Sequence, residues 1–161
     1  FIVGIFLLST RMRPLLWQVT MFTVAHSITL GLSMNGVISL PANIVEPLIA
    51  LSIAYIGFEN IYHKTLHNSR LAIVFAFGLL HGMGFASVLQ EFGMPSDAFM
   101  TALISFNIGV ELGQIAIILL GFLSVGFWFN NKPWYRNVII IPGSALIGLT
   151  GLYWTYDRIV F

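Results

Sequence analysis

No cysteine occurs in the 161 residues, and charged side chains are scarce. The absence of cysteine excludes disulfides, thiolate metal sites and cysteine nucleophiles. Asp, Glu, Lys and Arg together make up 8% of the sequence, whereas a soluble domain carries roughly 25%. The formal net charge is only +1 and neither end carries a charged tail, so nucleic acid is not an expected partner.

Apolar residues are what the chain has in abundance. They account for 58% of the sequence, and the mean hydropathy is +0.92. The apolar runs are continuous, not alternating, which favours helices over strands. A helix needs about 20 apolar residues to cross a hydrocarbon core of ~30 Å. The sequence therefore predicts an all-α, multi-pass transmembrane helix bundle whose surroundings are the lipid bilayer.

Breaks in the apolar pattern divide the chain into about six predicted spans within a single transmembrane domain (1–161). Proline, glycine and asparagine mark these breaks, as at Asn35-Gly36. Because the chain begins at Phe1 and its first run is short, we expect the natural N-terminus to lie upstream and the first span to be incomplete. Pro142 falls inside the last span and predicts a kink. The predicted spans are 1–9 (partial), 14–34, 43–62, 70–90, 98–129 and 133–157.

Basic residues are concentrated in alternate connections between the predicted spans. The intervening connections contain Glu91 and Asp97 but no Lys or Arg, and only Arg158 departs from this pattern. Under the positive-inside rule, the basic connections are predicted to face the cytoplasm. Their basic residues are Arg11, Arg13, Lys64, Arg70, Lys132 and Arg136.

Ionisable side chains inside the predicted spans are not explained by an apolar bundle. Each costs about 2.5 kcal/mol or more at membrane depth, so a functional role is the default hypothesis. At 1.5 Å per residue, His26, His81 and Glu111 each lie roughly 16–18 Å from a helix end and approach the bilayer midplane. Glu46 is predicted near the outer surface and Glu59 near the inner one.

Helical spacing groups these residues by face, because residues three or four apart are neighbours. Thr29 shares a stripe with His26 on the second span. Asn107, Glu111 and Gln114 share one face of the fifth span, where the two amides could equally be packing groups.

Small residues predict two close helix contacts. Gly78 and Gly82 are expected to let a neighbouring backbone approach the ring of His81. Ser105, Gly109 and Gly113 form a ridge of small residues on nearly the opposite side of the fifth span from Glu111, which predicts a second helix packed there.

Two imidazoles and a carboxylate at one depth predict a metal site in the bundle interior. Without sulfur ligands, such a set suits a borderline divalent ion such as Ni²⁺, Co²⁺ or Zn²⁺. The predicted metal ligands are His26, His81, Glu111 and Asn107. Five further residues are predicted to line the pathway or support the ligands, namely Glu46, Glu59, Asn60, Gln114 and Thr29.

Most of these residues also have a structural interpretation. A lone histidine in a membrane helix commonly donates a hydrogen bond to a neighbouring helix. Glu46 precedes Pro47, and proline favours the first helical position, so this pair could simply begin the third span. Glu59 could pair with Lys64 near the inner surface.

Four segments carry a resemblance to a known family. They are "FTVAHSITL" (22–30), "VEPLIALSIAYIGFEN" (45–60), "FGLLHGMGFAS" (77–87) and "FNIGVELGQ" (106–114). Together, and in this order, they resemble the HupE/UreJ family of hydrogenase and urease accessory membrane proteins, over roughly residues 13 to 117.

The resemblance implies a multi-pass protein of the bacterial inner membrane that is linked to nickel, with metalloenzyme maturation proteins as possible partners. The family's first helix usually carries a histidine and an Asp-His pair, and these positions would precede Phe1. Eight residues of this sequence fall on the family's polar motif positions: His26, Glu46, Glu59, Asn60, His81, Asn107, Glu111 and Gln114.

These observations predict a non-enzymatic function, as a divalent-metal permease or a metal-binding accessory protein. One alternative is a non-catalytic subunit of a larger membrane complex. A second is a zinc-dependent intramembrane hydrolase, although such a site needs three firm ligands and an open coordination position. A third is haem ligation by the two buried histidines.

Overall fold

The computed structural model describes residues 1–9, 11–67, 69–92 and 99–160. It is 86% helical with no strand among these residues, which confirms the predicted all-α fold. Asp97 and the side chain of Glu91, both assigned to one connection by the sequence, lie outside the described part. The helices are α1 (Ile2–Leu8), α2 (Met12–Met34), α3 (Ala42–Tyr62), α4 (Arg70–Phe92), α5 (Phe99–Gly121), α6 (Phe127–Phe129) and α7 (Ile141–Val160).

Four helical stretches among the described residues are long and apolar enough to cross a membrane. A shorter apolar stretch, Arg70–Ala86, lies in α4. The third of the long stretches joins α5 to α6 through a π-helical turn at Phe122–Gly126. The four stretches are Met12–Met34, Ala42–Tyr62, Met100–Phe129 and Arg136–Val160.

The predicted break at Asn35-Gly36 ends α2 through a specific hydrogen-bonding pattern. Gly36 has a φ of 70°, a left-handed conformation that favours glycine. Its N–H donates to the Ser33 carbonyl at 3.0 Å, and the Val37 N–H donates to the Leu32 carbonyl at 3.0 Å. These two bonds form a Schellman motif, which satisfies carbonyls that the end of the helix leaves free.

Two prolines lie within the helical stretches. Before Pro142, the Ile141 N–H bonds to the Arg136 carbonyl five residues back, which forms a π-helical turn, and the predicted kink stays a prediction. Such a turn is a known way to accommodate the missing proline N–H. Pro47 lies in the second turn of α3, not at its first position. The interpretation of Glu46-Pro47 as the start of the helix was therefore wrong.

The short α1 lies in the middle of the bundle. Five of its seven residues are buried, and it packs against α2, α3, α5 and α7. The largest apolar cluster forms where α1 meets α2, α4 and α5. Its buried members are Ile5, Phe6, Leu7, Leu15, Val19, Phe22, Val74 and Ile118.

Glycines bring α2 and α4 into backbone contact, as predicted. A Cβ added at Gly78 would lie 2.6 Å from the Phe22 carbonyl oxygen. At Gly82 it would overlap the Thr29 hydroxyl and the His26 carbonyl. Gly78 contacts Phe22, and Gly82, which is later in α4, contacts His26 and Thr29, which are later in α2. The two helices therefore run in the same direction.

The second predicted contact is not formed. Cβ atoms added at Gly109 and Gly113 would meet no described atom within 4 Å, so the small-residue ridge on α5 packs against no described helix. The opposite face of α5 contacts α2 instead. The close-packing prediction for this ridge was therefore wrong, because the polar face of α5 determines which side joins the bundle.

We predict that Gly82→Ala destabilises the protein by about 1–3 kcal/mol, because the new methyl group overpacks the α2–α4 contact. Thermal unfolding of the detergent-solubilised protein measures the change. The matched control is Gly109→Ala, which adds the same methyl to a helix interior with no neighbour and should gain up to about 1 kcal/mol from helix propensity. Equal effects of the two variants would contradict the close contact.

Candidate metal centre

His26 lies inside the bundle with both ring nitrogens unpaired. Its side chain is on α2 and the residue is 1% exposed. Aromatic rings surround it, with centroid distances of 5.3 Å to Phe85, 6.1 Å to Phe22 and 6.3 Å to Phe106. Neither Nδ1 nor Nε2 has a hydrogen-bond partner among the described residues. The expected role as an interhelical donor is therefore not observed for this histidine.

His81 contacts the same phenylalanine, Phe22. Its ring centroid is 5.1 Å from that of Phe22 and 5.1 Å from that of Phe1. Nδ1 lies 2.8 Å from the Phe77 carbonyl oxygen, within its own helix. Since a carbonyl can only accept, Nδ1 donates, and the neutral ring keeps its lone pair on Nε2. That nitrogen is the one available to bind an ion.

Thr29 bonds the two histidine-bearing helices together. Its hydroxyl donates to the Leu79 carbonyl of α4 at 2.6 Å. In a membrane, where a hydrophobic effect between helices is lacking, such hydrogen bonds and close packing hold helices together. Thr29 was predicted to support the site, and in the structure it fixes the register between the helices that carry His26 and His81.

The polar face of α5 is turned towards α2. The Thr20 hydroxyl donates to Oε1 of Glu111 at 3.1 Å, and the Thr23 hydroxyl donates to Oε1 of Gln114 at 3.3 Å. Asn107 donates from its amide to the Leu103 carbonyl at 2.8 Å. A cavity of about 390 Å³ between the two helices is lined by Thr23, Ser27, Asn107 and Glu111 together with apolar residues.

Asn107 leaves one polar atom unpaired beside this cavity. Its side-chain oxygen is buried and has no hydrogen-bond partner among the described residues. The residue is 8% exposed. Amide oxygen is a recognised ligand for divalent ions.

The three predicted ionisable ligands do not meet at one point. Among the described residues, no group of three or more His, Asp or Glu side chains is arranged to hold a metal ion. Glu111 pairs with Thr20, which lies six residues, or ~9 Å, from His26 along α2. The structure therefore brings His26 and His81 around Phe22 but keeps the Glu111 carboxylate apart from them.

Glu59 and Asn60 belong to a buried ionic network at the end of the bundle where α2 and α4 begin, which we call the basic end. The Arg70 guanidinium, 1% exposed, donates to Oε2 of Glu59 at 2.7 Å and to Oδ1 of Asn60 at 3.1 Å. Its Nε donates to Oε1 of Gln18 at 3.0 Å. His67 lies 2.7 Å from the other Glu59 oxygen. The suggested Glu59–Lys64 pair is therefore replaced by a pair with Arg70.

Hydrogen bonds at the same end of the bundle also connect α3 to α1 and to the segment before α7. The Asn60 amide donates to the Gly4 carbonyl of α1 at 2.7 Å. Arg136, just before α7, donates to the Ile61 carbonyl at 2.8 Å and to the His63 carbonyl at 3.1 Å. These carbonyls belong to the last turn of α3 and the residue after it, where helix geometry leaves them without backbone partners.

Glu46 lies at the opposite end of the bundle and pairs with Arg158 of α7. Both side chains are more than two-fifths exposed. They line a cavity of about 230 Å³ that also contacts Phe85 and Trp154. The Phe85 ring packs edge-on against the His26 ring, so a single aromatic side chain lies between this cavity and the buried histidine.

A comparison with protein families supports the resemblance seen in the sequence. A family model described as HupE / UreJ protein matches residues 1–158. The chain belongs to the HupE/UreJ family. Searches of curated proteins and of solved structures gave no match. Members of this family are nickel/cobalt accessory or transport-associated membrane proteins rather than catalysts.

Arg70 is the main residue of this HupE/UreJ protein that sequence reasoning missed. Arg70 lies at the edge of a predicted span, so in the sequence it counts only among the basic residues that predict which end of the bundle faces the cytoplasm. A signal was available, because Glu59, Asn60 and Gln18 all lie near the same predicted membrane surface. Their shared depth indicates a buried counter-charge, although it does not identify which basic residue supplies it.

We predict that Glu59→Gln destabilises the HupE/UreJ chain by about 3–5 kcal/mol, because it leaves the buried Arg70 charge without its counter-ion. Unfolding in mixed micelles measures the loss. The control is Glu46→Gln, which breaks an exposed pair with Arg158 and should cost less than about 1 kcal/mol. A Glu59→Gln variant as stable as the control would show that the network contributes no net stability.

Proposed function

We propose that this HupE/UreJ protein binds a divalent transition-metal ion of the nickel class as its cargo and carries it across the membrane. His26 and His81 are the proposed principal ligands. The observation that carries the proposal is the environment of His26, a 1% exposed imidazole with neither nitrogen hydrogen-bonded among the described residues.

An unpaired buried imidazole is costly without a ligand. Leaving a buried polar group unsatisfied costs about 1–3 kcal/mol, and inside a membrane no water compensates for it. A metal ion removes the part of this cost that belongs to the ring nitrogen with the lone pair, because it accepts that lone pair; the N–H of the other nitrogen stays a donor. Imidazole suits nickel, copper and zinc, and the geometry of the site, not raw affinity, selects among them.

We propose that Asn107 and Glu111 interact with the ion from the side of the bundle where α5 faces α2. The unpaired amide oxygen of Asn107 is available as a further ligand, and Glu111 lines the same cavity. We assign Glu111 a charge-compensating role on the path to His26, because its carboxylate pairs with Thr20 instead of contacting the ring.

Glu46 is proposed to draw the cation into the cavity at the end of the bundle opposite the basic end. The negative charge of Glu46 is shared with Arg158, so the cation must compete for it there. Phe85 then separates this cavity from His26 and is the proposed gate. Under the positive-inside rule we assign the basic end to the cytoplasm, in an inner membrane.

The competing hydrolase hypothesis is weaker. A catalytic zinc site needs three protein ligands and an open position, whereas no set of three His, Asp or Glu side chains is arranged for a metal among the described residues.

We predict that His26→Gln and His81→Gln each lower Ni²⁺ or Co²⁺ affinity by about 100-fold or more, since each removes a direct ligand. Isothermal titration of the purified protein measures binding, and elemental analysis measures stoichiometry. His63→Gln is the control, because His63 is exposed in the α3–α4 connection and should leave affinity unchanged.

Gel filtration and thermal unfolding of the same samples exclude misfolding as the cause of any loss. Unchanged metal binding by the two correctly folded variants, or an equal loss with His63→Gln, would overturn the proposed ligand set. Proteoliposomes loaded with a metal-sensitive dye then separate transport from static binding. Stoichiometric binding without any flux would indicate an accessory or sensing role instead of a permease.

A further inference from the structure

A further cavity, separate from His26 and His81, opens at the basic end of the bundle. It has a volume of about 360 Å³ and lies between the first turns of α2 and α4 and the connection before α4. Arg13, His67 and Arg70 line it, together with Gln18 and four apolar residues. None of these lining residues is acidic, so the cavity wall carries positive charge.

Arg70 forms part of the wall of this cavity and has N–H groups without a hydrogen-bond partner among the described residues. A guanidinium has five N–H donors. Nε and Nη1 are occupied by Gln18, Glu59 and Asn60, whereas Nη2 is buried and has no partner among the described residues. The two N–H groups of Nη2 are therefore not satisfied by any described residue of the protein.

Arg13 provides a second cation, which unlike Arg70 has no acidic partner among the described residues. It is exposed in the first turn of α2, and no ion pair or side-chain hydrogen bond joins it to any described residue. The nearby carboxylate of Glu59 does not neutralise it, because both oxygens of Glu59 are taken by Arg70 and His67. The cavity therefore has a net positive charge and suits an anion.

The apolar part of the cavity lining favours a lipid over a free anion. Trp17, 56% exposed, lies on the cavity wall with Leu66 and Leu71. Exposed tryptophan one turn inside a membrane helix is typical of the headgroup level. We propose that this cavity binds the phosphate of an anionic membrane lipid, with Arg13 and Arg70 on the phosphate oxygens and the apolar wall against the glycerol and acyl region. Basic pockets between transmembrane helices bind anionic headgroups in this way.

Native mass spectrometry of the full chain, released from detergent with added lipid, tests the proposal. We expect phosphatidylglycerol to be retained in preference to phosphatidylcholine at equal concentration. Arg13→Gln should weaken phosphatidylglycerol binding about tenfold, the effect of losing a charge-assisted hydrogen bond. Arg11→Gln is the matched control, because it removes an equal charge two residues away, from a residue outside the cavity lining.

Two results would overturn the proposal. If Arg11→Gln and Arg13→Gln weaken binding equally, the lipid responds to overall surface charge and not to this cavity. If inorganic phosphate at millimolar concentration binds without lipid and displaces phosphatidylglycerol, the site is one for free phosphate. Thermal unfolding without lipid should be the same for both variants. Because metal binding is not measured, the outcome is independent of the function proposed for the histidines.

Discussion

At Gly78 and Gly82, α4 lies so close to α2 that an added Cβ would overlap the backbone carbonyl oxygens of Phe22 and His26. Helices in lipid gain no hydrophobic energy from meeting each other, so small residues and interhelical hydrogen bonds must hold them together. Here the glycines allow the approach and Thr29 adds its bond to the Leu79 carbonyl. The register that results places the rings of His26 and His81 both in contact with the Phe22 ring. A side chain at Gly82 would push the helices apart and separate the two imidazoles.

Buried polar groups at the basic end and in the middle of the bundle differ in how many hydrogen-bond partners they have. At the basic end, Glu59 and Asn60 have partners, and Arg70 has three of them. In the middle of the bundle, His26 and the side-chain oxygen of Asn107 have none among the described residues. Arg70 keeps one unpaired nitrogen, Nη2, but its charge is balanced by Glu59, whereas the His26 ring has no polar partner of any kind among the described residues. This contrast is what supports a binding role for the histidine layer.

Sequence patterns predicted the helices and their approximate limits because continuous apolar runs between polar breaks directly reflect the thickness of the membrane. The glycine contact beside His81 followed from helical spacing, and so did the polar face of α5. Spacing within a helix does not give the offset between helices, however, so the meeting of Glu111 with the histidines was predicted wrongly. The depth of Arg70 was also missed, because a charge at a span boundary is equally consistent with exposure and with a buried ion pair.

Glu111 can help to bind a divalent cation at the histidines even though its carboxylate is separated from them. Two neutral imidazoles and an amide bring no charge to the ion, and burying an uncompensated dication in a low dielectric is prohibitive. By Coulomb's law, a carboxylate attracts a divalent ion without contacting it, and the attraction is stronger inside a protein than in water. Glu111 would therefore favour occupancy of the His26 layer without coordinating the ion. A ligand set made of neutral groups, with the carboxylate at a distance, also lets the ion leave more easily than direct carboxylate ligation, which suits transport better than storage.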